Sequence, residues 1–303
     1  MTSTQQTFEI ALSEKRIHAG TSIAAVIGDP VKHSLSPVIH NVGFRSLGID
    51  WVYVACEVKE GEAQSALDAM KTLGLRGLSV TMPHKTAIAS LVDAVSAAAQ
   101  ALHSVNTVEV AADGSLIGHS TDGDGLVASL KEQGVSVNGQ AILILGAGGA
   151  ARSVIDALHR HACRQIFVAN RSLDNAQMAV ALAPSIATAV STTDSTSLFA
   201  AAANSDIIIN ATSVGMTKSP GTVSKNVSVS PISVDLIRPD HIVVDLVYHP
   251  IETELLRQAR RRGALAIDGL GMLVHQAALQ QQIWTGLVPN VSDMYQAALQ
   301  ALA

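Results

Sequence analysis

The most constraining feature of this sequence is a run of glycines and alanines at residues 146–151, directly after an apolar segment at 141–145. An uninterrupted apolar run of this length is typical of a strand covered on both faces. Gly146 permits a tight turn, Gly148 lets a diphosphate approach the backbone, and Ala151 stands where a third small residue packs the next helix onto the strand. The pattern predicts a dinucleotide-binding unit, with a purely structural glycine turn as the alternative. The predicted cofactor-binding residues of this loop are Gly146, Ala147, Gly148, Gly149 and Ala150.

Short apolar runs separated by helical patterns continue after the glycine loop. They lie at residues 166–169, 207–209, 242–246 and 264–267, with a weaker candidate at 186–190. Buried apolar strands that alternate with helices are typical of a doubly wound parallel sheet of the Rossmann type. We therefore predict a dinucleotide-binding domain over residues 126–268.

The first half of the chain shows a separate alternation of strands and helices. Its β-rich runs lie at 52–56, 77–80 and 105–110, and its helical patterns at 63–73 and 86–101. This predicts an α/β substrate-binding and catalytic domain over residues 21–125, which makes the whole chain an α/β protein of two domains. The helical patterns at 272–284 and 291–302 are expected to pack back on that domain, so residues 269–303 complete it. Residues 1–20 are predicted to be a flexible N-terminal tail.

Composition excludes several classes of function. A formal net charge of -5 at pH 7 argues against nucleic-acid binding, which requires a basic surface. No apolar run reaches membrane-spanning length, and Cys56 and Cys163 are too far apart in sequence to suggest a disulfide framework. No histidine spacing predicts a metal site. We expect a cytoplasmic protein that acts on a small molecule, as a monomer or a homodimer.

Two serines follow the first apolar run, on a loop that leads into a helix. Ser36 precedes Pro37, so it is a candidate N-cap for a helix that Gly48 would end. Capping does not account for Ser34. A second hydroxyl on the same loop is what a site for a polyhydroxylated ligand would use, because each buried ligand hydroxyl needs a partner.

A lysine and an aspartate at strand-to-helix junctions are the candidate catalytic pair. The predicted helix after residue 80 has Pro83 as its first position, which sets Lys85 in its first turn. A cation there opposes the helix dipole, so local stability does not explain a lysine. Asp122 is either its partner or a helix N-cap. If the two preceding strands are parallel neighbours, both residues lie at the edge of the sheet where open α/β folds bind ligands, and Asn106 begins a strand at that site.

The residues after the second strand of the predicted Rossmann domain favour NADP(H). NAD-preferring enzymes place an acid there to bind the ribose hydroxyls, and this chain has Asn170, Arg171 and Ser172 instead. A guanidinium and short polar groups suit a phosphate. A solvated surface arginine is the alternative, and Asp174 keeps NAD(H) possible.

Together these segments resemble the shikimate dehydrogenase family. The matching motifs are Ser-x-Ser-Pro at 34–37, Val-Thr-x-Pro-x-Lys at 80–85, Val-Asn-Thr at 105–107 and Thr-Asp-x-x-Gly at 121–125, followed by the nucleotide loop, the NADP clamp and the segments at 210–216, 245–248 and 269–276. The resemblance implies NADP-dependent reduction of 3-dehydroshikimate to shikimate, a step of aromatic amino acid biosynthesis. It implies Lys85 and Asp122 as the proton-handling pair. It further implies that the substrate binds to Ser34, Ser36, Thr81, Asn106, Tyr248 and Gln276, and that Thr212, Val247 and Gly269 complete the cofactor site.

Four residues depart from the family pattern. Ser79, Ser120 and His249 stand where the family usually has asparagine, and Asn175 stands where a second basic residue often completes the phosphate clamp. Relatives that act on quinate, or that use NAD, share most of these motifs. A quinate or aminoshikimate dehydrogenase therefore stays an alternative, as does a non-catalytic nucleotide-binding sensor.

Overall fold

The computed structural model describes residues 17–217 and 229–302. Residues 1–16 of the predicted flexible tail lie outside the described residues. The first sheet-forming region has strands β1 to β6 and helices α1 to α5. They are β1 Ser22–Gly28, α1 Ser36–Ser46, β2 Trp51–Glu57, α2 Ala63–Leu73, β3 Gly77–Val80, α3 Lys85–Ala89, β4 Ala94–Val95, α4 Ala97–Leu102, β5 Thr107–Val110, β6 Leu116–His119 and α5 Asp122–Glu132.

The second sheet-forming region follows, and two helices close the chain. The elements are β7 Ala141–Leu145, α6 Gly149–Arg160, β8 Gln165–Asn170, α7 Leu173–Val180, β9 Ala187–Ser191, α8 Ser195–Ala203, β10 Ile207–Asn210, a 3-10 turn Val234–Leu236, β11 Ile242–Asp245, α9 Glu254–Arg261, β12 Leu265–Ile267, α10 Leu270–Thr285 and α11 Val291–Leu302. None of the described helices is long and apolar enough to cross a membrane.

Each region builds its own six-stranded sheet. The first has the order β2-β1-β3-β5-β6-β4, in which β5 runs antiparallel to both of its neighbours. The second has the order β12-β11-β10-β7-β8-β9, and all of its pairs are parallel. Its central strand β7 is buried at every position, as its apolar sequence predicts. The predicted α/β class with a doubly wound dinucleotide-type sheet is confirmed.

Helix α5 joins the two regions. It begins at Asp122, next to the first sheet, and it buries Leu126 and Leu130 in the core beneath the second sheet. It runs unbroken through residues 125 and 126, where the sequence analysis places the domain boundary. The closing helices pack back as expected, because α10 and α11 share an apolar cluster with Ile39 of α1.

The single helix predicted over residues 86–101 is wrong. The structure has two short helices, α3 and α4, with the two-residue strand β4 between them. Asp93 causes the break, because its N–H donates to Leu116 O at 2.9 Å and its carboxylate accepts from Leu116 N at 2.7 Å. Ser96 then caps α4 by accepting from Ala99 N.

Candidate active site

Three strand ends meet at one edge of the first sheet. Strands β3 and β6 end there, and β5 begins there, because β5 lies between them and runs in the opposite direction. Strands β3 and β6 are therefore not direct neighbours, which was the condition given for a shared edge. Their carboxyl ends still share an edge, since two successive antiparallel pairings restore the original direction. This edge brings Lys85, Asn106 and Asp122 together.

The proposed catalytic pair is in direct contact. Lys85 Nζ donates to Asp122 Oδ2 at 2.6 Å, and Asn106 Nδ2 donates to Asp122 Oδ1 at 2.7 Å. Asn106 Oδ1 in turn accepts from Thr121 N at 2.9 Å. The Lys85 and Asp122 side chains are 30% and 19% exposed, so a ligand can reach them while most of their surroundings are protein. This arrangement holds an ammonium group on a carboxylate at an accessible edge.

Local helix geometry leaves both residues free for this contact. Asp122 is the first residue of α5 after Thr121, so its predicted role as N-cap is wrong, and no side chain caps that helix. Pro83 is not the first helical residue either. His84 N donates to Thr81 O at 3.0 Å to form a turn, and α3 begins only at Lys85. Lys85 therefore lies in the first turn of its helix, as predicted.

The serine loop follows β1 and lies at the same edge. Helix α1 begins at Ser36 with Leu35 before it, so the predicted N-cap role of Ser36 is wrong. Ser34 instead binds the start of the helix, since its Oγ accepts from Ser36 N at 3.2 Å and donates to Ser36 Oγ at 3.0 Å. Thr81 N donates to Ile27 O, the last residue but one of β1. The serine loop and Thr81 therefore lie beside the end of β3, which leads to Lys85.

The closing helix and the second region supply the remaining predicted substrate residues. Thr121 Oγ1 donates to Gln276 O at 3.2 Å, which holds Gln276 against the start of α5. A Cβ on Gly125 would lie 2.7 Å from the Gln276 backbone, so only glycine permits this approach. Tyr248 packs on the same apolar cluster as Leu35, beside the serine loop, and burial raises its pKa.

A buried polar chain behind the serine loop escaped the sequence analysis. Tyr53 Oη donates to Ser79 Oγ at 2.6 Å, and Ser79 Oγ donates to Gln280 Oε1 at 2.5 Å. Gln280 Nε2 donates to Gln276 Oε1 at 3.0 Å. Ser79, one of the four departures from the family pattern, is thus buried inside this chain. Two features of the sequence could have predicted this chain. Tyr53, Ser79 and Gln280 are polar residues within apolar segments, and Gln280 lies one helical turn after Gln276.

His40 packs beside this chain. Its ring stacks on Tyr53 with centroids 4.1 Å apart, and burial lowers the pKa of His40 to about 3. The imidazole is therefore neutral, and it belongs to the support of the site.

The glycine loop of the second region has the geometry that a dinucleotide needs. Gly146 has φ +105, which favours glycine, and Gly148 precedes the first residue of α6. A Cβ on Gly148 or Gly149 would meet no atom within 4 Å, and no side chain caps α6. Open space beside uncapped helix N–H groups fits a diphosphate. Ala151 is fully buried, as close packing of helix on strand requires.

The predicted phosphate clamp lies at the carboxyl end of β8. Asn170 is the last residue of that strand, and its Nδ2 donates to Ser172 O at 2.9 Å. Ser172 caps α7 by accepting from Asn175 N. Arg171 is exposed, and its guanidinium makes no hydrogen bond or ion pair with any residue that the structure describes. A free cation beside the loop fits a ribose phosphate.

Thr212 follows β10, Val247 follows β11 and Gly269 follows β12, all at the carboxyl edge of the second sheet. A Cβ on Gly146 would lie 3.0 Å from Thr212 Cγ2, and a Cβ on Gly269 would lie 2.4 Å from Leu246 O. Thr212 therefore borders the glycine loop, and Gly269 packs against the residue before Val247. The cofactor residues predicted from the resemblance thus lie along one edge of the second sheet.

Comparison with known proteins gives the same family throughout the chain. Three family models match: the shikimate dehydrogenase substrate binding domain at residues 26–108, shikimate / quinate 5-dehydrogenase at 128–247, and the shikimate 5'-dehydrogenase C-terminal domain at 269–299. The chain is 40% identical over 277 residues to shikimate dehydrogenase (NADP(+)) of Alkaliphilus metalliredigens, covering 90% of this chain and 94% of that protein.

Solved structures agree. A shikimate 5-dehydrogenase from Listeria monocytogenes in complex with shikimate and NAD superimposes with a TM-score of 0.87 at 36% identity, covering 93% of this chain and 98% of that one. A shikimate dehydrogenase in complex with NADP+ gives a TM-score of 0.86 at 35% identity, covering 95% and 98%.

Proposed function

Because the chain belongs to the shikimate dehydrogenase family, we propose that it catalyses the reversible, NADP-dependent reduction of 3-dehydroshikimate to shikimate. The observation that carries this proposal is the accessible contact of Lys85 with Asp122 at the edge of the first sheet. A bound NADPH would supply the hydride that reduces the ring carbonyl. The protein has to bind the substrate and manage one proton.

Lys85 is the proton donor in this proposal. As the carbonyl carbon gains the hydride, the Lys85 ammonium gives a proton to the forming alkoxide, and in the oxidation its neutral amine takes the hydroxyl proton back. Asp122 orients the ammonium and accepts from the same ligand hydroxyl. Asn106 holds the carboxylate on its other oxygen, so Asp122 cannot rotate away.

The substrate hydroxyls and carboxylate would bind to neutral groups. We assign Ser34, Ser36, Thr81, Asn106, Tyr248 and Gln276 to this task. We further propose that residues 21–125 and 269–303 form the substrate-binding domain and that residues 126–268 bind the dinucleotide. The protein would work as a monomer or a homodimer in the cytoplasm.

NADP is the preferred cofactor in this proposal, because Arg171 is free and no acid ends β8. The glycine loop, Asn170 and Ser172 would hold the diphosphate and the adenosine half. Thr212, Val247 and Gly269 would hold the nicotinamide half, since the family resemblance places the segment at 210–216 beside the nicotinamide. Asp174 in the first turn of α7 favours one alternative, a quinate or shikimate dehydrogenase that uses NAD.

Initial rates with the purified protein test the proposal. Shikimate and quinate are each offered with NADP+ and with NAD+, and the appearance of reduced nicotinamide is followed. We expect the highest kcat/KM for shikimate with NADP+. Faster oxidation of quinate with NAD+ would move the protein to the alternative, and no turnover in any of the four mixtures would overturn the assignment to an enzyme.

A further inference from the structure

A buried carboxylate lies beneath the two loops that carry the nicotinamide-side residues. Asp245 ends β11 with no exposed surface. Its Oδ1 accepts from Asn210 Nδ2 at 2.8 Å and from Val247 N at 3.1 Å, and its Oδ2 accepts from Thr253 Oγ1 at 2.6 Å. One side chain therefore fixes a strand end, a loop and the first turn of a helix.

The first of these bonds reaches the loop after β10. Asn210 stands opposite Asp245 in the sheet, and its Oδ1 accepts from Thr212 N at 3.0 Å and from Thr212 Oγ1 at 2.7 Å. Thr212 Oγ1 accepts in turn from Val214 N at 3.1 Å. The conformation of residues 210–214 thus depends on the Asn210 amide, whose Nδ2 donates to Val214 O at 3.2 Å and to Asp245. The bond to Asp245 anchors this amide to the neighbouring strand.

The second bond shapes the loop after β11. The contact with Val247 N folds the backbone at residues 245–248, which carry Val247 and Tyr248. Gly269 packs against the same turn, since a Cβ there would lie 2.9 Å from Asp245 O. Thr212, through Asn210, and Val247, directly, are thus held by one buried side chain.

We propose that Asp245, through Asn210 and Val247, is the positioning residue that sets the nicotinamide half of the cofactor site. This inference rests on the proposed function. It assigns no contact between Asp245 and the cofactor. It states that the carboxylate holds Thr212 and Val247 in their binding conformation.

The hydrogen-bonding pattern around Asp245 requires two acceptor oxygens. Its partners are three donors, two on Oδ1 and one on Oδ2. Burial raises the pKa of Asp245, and among the described residues no lysine, arginine or histidine pairs with it. An asparagine of the same shape has a single acceptor oxygen, so an amide NH2 would face at least one of the donors.

The test compares two ligands that share the adenosine half. Asp245→Asn is titrated by calorimetry with NADP+ and with 2′,5′-ADP, which lacks the nicotinamide and its ribose. We expect Kd for NADP+ to rise about tenfold, and Kd for 2′,5′-ADP to stay within about twofold, because the glycine loop and Arg171 lie on other strands. An equal rise for both ligands, or no rise for either, would overturn the inference.

Two further variants keep the test decisive if Asp245→Asn does not fold. Thr253→Val removes one donor to the carboxylate, whereas Thr253→Ser retains it. We expect only the valine variant to weaken NADP+ selectively. Equal binding of NADP+ by both Thr253 variants would contradict the inference.

Asp206→Asn serves as the matched control, because Asp206 accepts from Ala141 N at the opposite edge of the same sheet. It should leave both Kd values unchanged. Wild-type protein that binds NADP+ but does not oxidise shikimate would reject the proposed substrate, independently of the result for Asp245.

Discussion

The two sheets present opposite kinds of edge to their ligands. At the edge of the first sheet the polar groups already bind one another, as Lys85, Asp122 and Asn106 do. At the edge of the second sheet the groups proposed to bind phosphates are open, since the start of α6 has no side-chain cap and Arg171 has no partner among the described residues. The proton-handling group is complete before a ligand arrives, and the phosphate-binding group is completed by its ligand.

This difference follows from what each edge must do. A proton transfer needs its acid at a defined position. If a flexible lysine is already ordered in the folded protein, the entropy cost of ordering it does not fall on the reaction. A phosphate needs several donors with unused hydrogen-bonding capacity, which a helix N-terminus provides. The comparison therefore predicts that substitutions of Lys85 or Asp122 reduce kcat, and that substitution of Arg171 weakens cofactor binding.

The largest expected effect is that of Lys85→Ala. Loss of a general acid typically costs about 10² to 10⁴ in rate, so kcat should fall by that factor while KM for shikimate changes by less than about threefold. Steady-state kinetics in the oxidative direction measures both constants. Lys71→Ala, which removes an ammonium group paired with Asp93 away from this site, is the control and should have wild-type kinetics. Comparable losses in kcat and in substrate affinity would contradict the role of Lys85 as proton donor.

Asp122→Asn should have the next largest effect. The carboxylate accepts from Lys85 and Asn106 on separate oxygens, and an amide can accept from only one of them. We expect kcat to fall by about 10², because Lys85 loses the carboxylate that orients it. Asp124→Asn is a matched control two residues along α5, where the carboxylate binds Arg160 at the surface. If both variants lose the same activity, the effect belongs to the helix and not to the Lys85 contact.

Structural elements that depend on a local sequence pattern were predicted correctly. The apolar run at 141–145 predicted a strand covered on both faces, and the glycines after it predicted the turn into α6. Strand-to-helix junctions likewise predicted the edges where the candidate residues lie. The proposed roles of those residues stay predictions until the variants are measured.

Several of the errors come from partners that are distant in sequence. Asp122 looked like an N-cap because capping is local, but Lys85 and Asn106 take its carboxylate instead. Asp93 ends a helical pattern by pairing with Leu116. Ser79 and Gln280 are 201 residues apart and bind each other in the core. No sequence periodicity encodes such pairs, so only the folded chain reveals them.

Arg171→Ala tests the open edge. A hydrogen bond to a charged group contributes about 1.5 to 3 kcal/mol, so KM for NADP+ should rise about tenfold or more while KM for NAD+ stays nearly constant. Arg164→Ala, just before β8 at the opposite edge of the same sheet, is the control. A parallel rise for both cofactors would show that Arg171 contacts a part of the dinucleotide other than the 2′-phosphate.

Ser36→Ala is expected to have the smallest effect. It tests how far the preorganised edge, the hydrogen-bonded group around Lys85 at the first sheet, extends toward the serine loop. A neutral hydrogen bond contributes about 0.5 to 1.5 kcal/mol, so KM for shikimate should rise about fivefold with kcat unchanged. Ser46→Ala, at the other end of α1, is the control. The Ser36 hydroxyl also accepts from Ser34 Oγ at 3.0 Å. If kcat falls instead, the two serines orient the substrate for proton transfer, and the preorganised edge extends from Lys85 to the serine loop.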